Sequence, residues 1–213
     1  MSQNSLIVFT GPMFSGKTLA LVNAGLRASY AQQEVQAFIP VAGLRNKKGR
    51  SGPPPKIIFT RIKTQNGEEA YIDFPVTAVS SLEELEDQIR HTSARAILSR
   101  TKVATFLFDE VQFLQQEAIP IIERMLDGEY ARSITTRIFA SGLDMDAWKK
   151  PFSVTLEMIA RANEVYKFSA VCFSCGADAI FTQKIAGSAN QRVEAGDSDI
   201  YEARCRQCHI IPE

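Results

Sequence analysis

The amino-acid sequence predicts an α/β fold, a mostly parallel β-sheet covered by helices, followed by a small cysteine-bearing module near the C-terminal end. Three observations carry that expectation. Apolar β-forming runs alternate with helical patterns from residue 1 to about 170, the arrangement that builds a parallel sheet through crossover helices. A Gly-x-x-x-x-Gly-Lys-Thr loop joins the first run to the first helix. Four cysteines fall as two Cys-x-x-Cys pairs within the last 42 of the 213 residues.

Taken in order, residues 5–10 (Ser-Leu-Ile-Val-Phe-Thr) are rich in β-formers and stop at the turn signal Gly11-Pro12. From Lys17 to about Tyr30 the residues Leu19, Ala20, Val22, Leu26 and Ala28 suit a helix. Residues 35–41 read as a second buried strand. Gly43, Gly49, Gly52 and Pro53-Pro54-Pro55 break regular structure across 43–56. Residues 45–63 carry seven basic side chains (Arg45, Lys47, Lys48, Arg50, Lys56, Arg61, Lys63) and no acid. This stretch is either a solvated loop or a lid over anionic phosphates.

β-like residues return at 57–61 and 71–77. Ser80-Ser81 ahead of Leu82-Glu83-Glu84 supplies cap hydroxyls and first-turn acids, so a helix runs to about Arg90. Val103–Phe108 is a continuous apolar strand. Residues 115–127 have an amphipathic pattern in which Pro120 must kink the helix or reset its start. A short strand at Ile138–Ala140, a helix at 153–162 and a last strand at 165–170 complete the alternation.

The loop Gly11-Pro12-Met13-Phe14-Ser15-Gly16-Lys17-Thr18 sits where its chemistry needs it, after a buried strand and opening a helix. Its glycines let backbone N–H groups turn toward phosphate oxygens, and the helix N-terminus adds partial positive charge. Lys17 can reach the β- and γ-phosphates of ATP, and the Thr18 hydroxyl can ligate Mg²⁺. The strand Phe106-Leu107-Phe108 ends in Asp109-Glu110, the Walker B pattern, which brings Asp109 beside the loop to hold Mg²⁺. Glu110 is then a candidate general base, or a capping or surface acid.

Cys172-Phe-Ser-Cys175 and Cys205-Arg-Gln-Cys208 are two knuckles with 29 residues between them. Together they close a tetrahedral, structural Zn²⁺ site with no open position for water. The loop between them would be anchored at its base. His209 adjoins the second knuckle and reads as a bystander.

At this point the motifs as a set resemble the thymidine kinases of the cellular, zinc-containing type (type II). The resemblance rests on residues 11–18, on Asp-Glu-Val-Gln-Phe-Leu at 109–114, and on Gly-Leu-Asp-Met-Asp at 142–146 followed by Pro151-Phe152. It continues through Ala170-Val-Cys-Phe-Ser-Cys175 and Asp199-Ile-Tyr201 before the second knuckle. It spans about residues 5–208 and is poor at 43–70. The fold it implies is a P-loop (RecA-like) α/β domain over 1–170, with a small C-terminal zinc-binding lasso domain over 171–213.

The implied reaction moves the ATP γ-phosphoryl group to the 5′-hydroxyl of thymidine or deoxyuridine, in pyrimidine salvage. Glu110 is the implied base, Asp109 and Thr18 serve Mg²⁺, and Arg45 joins residues 11–18 on the phosphates. Met13, Phe113, Leu143, Thr182, Gly196 and Tyr201 are the implied nucleoside contacts. The resemblance also implies a homotetramer or dimer inhibited by thymidine triphosphate. Two positions depart from the family pattern. Gly43 stands where an acid is usual, and Ala147 stands where a base-stacking Phe is usual, with Trp148 beside it as a possible substitute. Ala147 therefore motivates an alternative, a deoxynucleoside kinase of altered base choice.

Composition narrows the field further. Lys+Arg and Asp+Glu are 24 each, so the formal charge is zero, which argues against a bulk polyanion binder. A nucleic-acid-dependent ATPase would share the Walker motifs and a zinc knuckle, and the basic loop suits it. Zero charge and a single P-loop module count against it, so no nucleic acid is expected as a partner. No apolar run approaches the roughly 20 residues of a membrane span, and no signal core opens the chain. A cytoplasmic protein with reduced thiols is expected.

Overall fold

The structure is a computed structural model that describes residues 3–43, 57–63, 69–187 and 199–212. Its centre is a six-stranded sheet in which every neighbouring pair runs parallel. The strands are β1 (Ser5–Thr10), β2 (Glu34–Pro40), β5 (Thr77–Val79), β6 (Val103–Phe108), β7 (Thr135–Gly142) and β8 (Glu164–Lys167), in the order β5-β2-β6-β7-β1-β8. Four helices connect them, α1 (Lys17–Tyr30), α2 (Leu82–Leu98), α3 (Ala118–Leu126) and α4 (Ser153–Arg161).

Period-two alternation divides the strand side chains between two apolar layers. Leu6, Val8, Phe106, Phe108, Ile138 and Ala140 face α2, α3 and α4. Phe9, Ala37 and Leu107, with Ile7 and Phe139, face α1. The expected cover on both faces is present but unequal, three helices against one. Gly25 explains how closely α1 sits: a Cβ there would meet Leu107 Cδ1 at 2.4 Å and Phe74 Cζ at 2.8 Å.

Several elements differ from their sequence patterns for physical reasons. α2 runs to Leu98 rather than Arg90, because Thr92, Ser93 and Ala96 are buried against the sheet and carry the helix past its polar stretch. Pro120 resets the start of α3: it is the third helical residue, where its missing N–H has no helical partner to lose. The stretch 71–77 is two strands. β4 (Glu69–Pro75) pairs antiparallel with β3 (Ile57–Lys63), and only β5 joins the main sheet. Residues 165–170 also divide. β8 ends at Lys167, the Phe168 N–H donates to Thr10 O at 2.8 Å, and the chain then leaves the sheet.

Beyond it lie two small antiparallel pairs. β9 (Ala170–Val171) pairs with β10 (Asp178–Ala179), and β11 (Phe181–Lys184) with β12 (Tyr201–Arg204). No helix among the described residues is long and apolar enough to cross a membrane.

The strand order positions the site. β7 lies between β1 and β6, so the loops leaving β1, β6 and β7 converge on one edge. That edge, at the carboxyl ends of parallel strands, is where open α/β sheets bind ligands.

Candidate active site

The phosphate loop begins where β1 ends. Gly11 has φ 137°, and a Cβ there would lie 2.3 Å from the Phe168 carbonyl oxygen, so no other residue fits. Gly16 caps α1 in the left-handed region, and the first turn of α1 contains no acid to offset its positive end. Lys17 is largely buried and folds back over the loop. Its Nζ donates to Pro12 O at 2.6 Å and reaches Ser15 Oγ at 3.4 Å. The Ser15 hydroxyl donates to the same carbonyl at 2.8 Å.

Strand β6 carries Asp109, 4% exposed, to the same edge. Its carboxylate lies 3.4 and 3.5 Å from Thr18 Oγ1 and accepts from Ser141 Oγ at 2.8 Å. Burial pushes the Asp109 carboxyl up to about 7, with the neighbouring Glu110 charge adding to the rise; Ser141, the Glu110 amide and Lys17 act in the opposite sense. A carboxylate and a hydroxyl facing each other at this spacing can hold a divalent cation, which favours the charged form of Asp109.

Glu110 follows in the left-handed conformation, φ 53° and ψ 42°, a sparsely populated state for a non-glycine residue. It caps a three-residue 3₁₀ turn, Val111–Phe113. From that turn Gln112 reaches back, and its Nε2 donates to Glu110 Oε2 at 2.5 Å. The other end, Oε1, accepts from the Leu143 N–H at 3.0 Å. Sequence reasoning gave no role to Ser141 or Gln112. Gln112 lies inside the 109–114 motif that carries the family resemblance, whereas Ser141 carries no motif signal.

The strap after β7 is fixed largely by its own acids. Asp144 accepts from Lys167 Nζ at 2.8 Å. Asp146 accepts from the Trp148 and Lys150 N–H groups at 2.9 and 2.8 Å. Ala147 is buried. Trp148 is committed to the C-terminal tail, its indole N–H donating to Pro212 O at 3.1 Å.

Among the expected nucleoside contacts, Met13 and Thr182 meet directly: the Met13 N–H donates to Thr182 Oγ1 at 3.0 Å, a buried bond between the phosphate loop and β11. Tyr201 lies on the partner strand β12, opposite Lys184. Leu143 is tied to Gln112, and the Phe113 N–H closes the turn on Glu110 O at 3.0 Å. Arg45, Gly196 and the basic residues 45–56 lie outside the described residues.

The four cysteines come together as the spacing predicts. Their Sγ atoms all lie within 4.8 Å of one another, with Cys175 and Cys205 at 3.7 Å. A tetrahedral site with metal–sulfur bonds of about 2.3 Å has edges of roughly 3.8 Å, whereas a disulfide needs about 2.05 Å. The knuckles are built alike, with Gly176 N–H donating to Cys172 O at 2.9 Å and His209 N–H to Cys205 O at 3.0 Å. Burial pushes the Cys172 thiol up, but backbone N–H groups at Cys205, Cys175 and Ser174 outweigh it and hold it at about 6. Cys208 is pushed up to about 12 by its contacts with the Cys205 and Cys175 sulfurs. Four thiolates this close repel, so a cation is what lets all four ionise together. His209 is buried against the Phe181 ring at 5.1 Å and is not one of the clustered donors.

The all-parallel sheet, the glycine-rich loop on β1 and an acid on β6, one strand removed from β1, define a P-loop nucleotide-binding protein of the RecA-like kind. The thymidine kinase family model matches residues 4–209, and the chain belongs to that family. It is 29% identical over 220 residues to a thymidine kinase of Deinococcus deserti, covering 99% of this chain and 96% of that one. It is 34% identical over 206 residues to a thymidine kinase of Bdellovibrio bacteriovorus, covering 97% of this chain and 85% of that one. The chain is thus an ATP-dependent kinase. Among solved structures, C. elegans PCH-2 matches with a TM-score of 0.40 at 16% identity, covering 78% of this chain and 35% of that one, too slight a likeness to bear on function.

Proposed function

We propose that this chain transfers the γ-phosphoryl group of ATP to the 5′-hydroxyl of thymidine, or of deoxyuridine, giving the 5′-monophosphate. The observation that carries the reading is the shared edge of β1 and β6, where the Thr18 hydroxyl faces Asp109 at 3.4 Å and Glu110 follows directly. In this reading the loop 11–18 cradles the triphosphate through its N–H groups, and Lys17 leaves Pro12 O to meet phosphate oxygens. Glu110 accepts the 5′-hydroxyl proton as that oxygen bonds to the γ-phosphorus. The bond from the γ-phosphorus to the bridging oxygen breaks, and its electron pair leaves with ADP. Thr18 and Asp109 would hold Mg²⁺, which neutralises charge on the phosphates.

Met13, Phe113, Leu143, Thr182 and Tyr201 would surround the nucleoside, with Gly196 completing the lasso and Arg45 reaching the phosphates. Cys172, Cys175, Cys205 and Cys208 would hold a structural Zn²⁺ that anchors the 171–213 module as a lid domain on the 1–170 domain. A homotetramer or dimer, feedback inhibition by thymidine triphosphate and a cytoplasmic location belong to the same reading.

The test is Glu110→Gln, an isosteric change that cannot take the proton. Nucleotide binding should persist while thymidine phosphorylation falls about 10²–10⁴-fold. Near-normal kcat in that variant would remove Glu110 from the mechanism.

A further inference from the structure

Gln112 is a buried carboxamide, 8% exposed, with both ends engaged. Its Nε2 donates to Glu110 Oε2 at 2.5 Å, and its Oε1 accepts from the Leu143 N–H at 3.0 Å. The two partners follow different strands. Glu110 lies two residues past the end of β6, and Leu143 opens the strap after β7. The side chain is therefore a bridge between the carboxylate read as the base and the segment read as contacting the nucleoside.

We propose that Gln112 is a positioning residue for phosphoryl transfer, holding the Glu110 carboxylate in register with the 142–146 strap. This rests on the reading of Glu110 as the base. Three features support it.

The bridge has a polarity that only an amide satisfies at this length. One end must donate to a carboxylate and the other must accept from an N–H. Glutamate offers acceptors at both ends, and methionine of similar size offers neither. The geometry is also closed from outside: a Cβ on Gly142 would lie 2.8 Å from Gln112 Oε1 and 2.6 Å from Val111 Cγ2, so the strap backbone packs directly on the turn. Finally, the backbone of Glu110 is in the left-handed region, and the Phe113 N–H bond to Glu110 O at 3.0 Å closes the turn that aims Gln112 back at it.

A glutamate side chain has three rotatable bonds, and a base must hold one oxygen within hydrogen-bond reach of the proton it takes. The amide removes that freedom. Because its other end is set by the strap, movement of the strap is passed to the carboxylate. Misplacing a catalytic group by about 1 Å costs on the order of 10²-fold.

The test is a double-mutant cycle on the full-length chain, with transfer from radiolabelled ATP to thymidine as the readout. Thermal melts and ATP binding serve as checks on each variant. Gln112→Met should lower kcat about 10–100-fold, with the KM for ATP within about twofold and the KM for thymidine raised. Gln112→Glu keeps an acceptor for Leu143 but sets carboxylate against carboxylate, so kcat should fall similarly while the KM for thymidine stays near wild type. If Gln112→Met does not fold, Gln112→Glu carries the same test. In the Glu110→Gln background either change should cost less than about threefold, because no base remains to be positioned. Equal losses in both backgrounds would mark Gln112 as merely structural and overturn the proposal, as would wild-type kcat in both variants. Full activity of Glu110→Gln alone would instead overturn the base assignment beneath it, and the proposal with it.

Discussion

Replacing Thr182 with valine tests whether the cysteine-anchored module holds the phosphate loop in place. The change is isosteric, so it opens no cavity, but it removes the acceptor of the Met13 N–H. That bond is 3.0 Å long and buried, and Thr182 is 4% exposed, so water has poor access to replace it. A buried donor left without a partner costs about 1–3 kcal/mol. The loop either bears that cost in place or swings away and must be re-ordered by nucleotide. In the first case Tm falls by about 2–4 °C per kcal/mol for a chain of this size. In the second, ATP affinity falls by about 5–150-fold. Calorimetric melts and isothermal titration with ATP·Mg²⁺ measure both, and Thr182→Ser, which keeps the hydroxyl, should restore both. A valine variant with unchanged Tm and unchanged ATP affinity would refute the coupling between β11 and the loop.

Three further outcomes follow from other parts of the molecule. Gly25→Ala puts a methyl 2.4 Å from Leu107 Cδ1 and 2.8 Å from Phe74 Cζ; overpacking of this kind costs about 1–3 kcal/mol, so Tm should drop by several degrees, and an unchanged melt contradicts the packing of α1. Arg124 Nη1 and Nη2 each meet a Glu86 carboxylate oxygen at 3.0 Å and hold that carboxyl below its ordinary value of 4.5. The stabilisation is thus complete above 4.5 and lost as pH falls through the lowered value. Arg124→Met should melt lower than wild type at neutral pH by up to about 1 kcal/mol in stability, and the gap should shrink in acid; a gap that widens in acid contradicts the pair. Elemental analysis should find one Zn²⁺ per chain, and Cys205→Ser should raise the KM for thymidine more than that for ATP. A metal content near zero with four titratable thiols would discard the zinc site.

Much of this arrangement is legible in the sequence, and the reason is local. The phosphate loop, α1 and the β6 acid each follow from contiguous residues whose periodicity and motif agree. The cysteine cluster is legible because four sulfurs in two short knuckles have few ways to meet. Ser141 and the Leu143 end of Gln112 were not legible in the same way, because the contacts Ser141–Asp109 and Leu143–Gln112 depend on β7 lying beside β6, which no local pattern encodes. The same holds for α2, where polar Thr92 and Ser93 look like a helix end but are buried against the sheet. The split of 71–77 also escaped, since a run of β-formers does not say which strand each half will pair with. Trp148, adjacent in sequence to Ala147, is drawn to Pro212 by a tail 64 residues away.

The measurement that bears most directly on the central claim is steady-state phosphorylation of thymidine, deoxyuridine, deoxycytidine and the purine deoxynucleosides with ATP·Mg²⁺. A closed site that hydrogen-bonds the thymine edge leaves buried polar groups unpaired when cytosine enters, a mismatch that discriminates by up to about 10⁴–10⁵. The account predicts that thymidine and deoxyuridine are phosphorylated and deoxycytidine is rejected, despite Ala147. Efficient phosphorylation of deoxycytidine or a purine deoxynucleoside, or transfer to none of them, would contradict it.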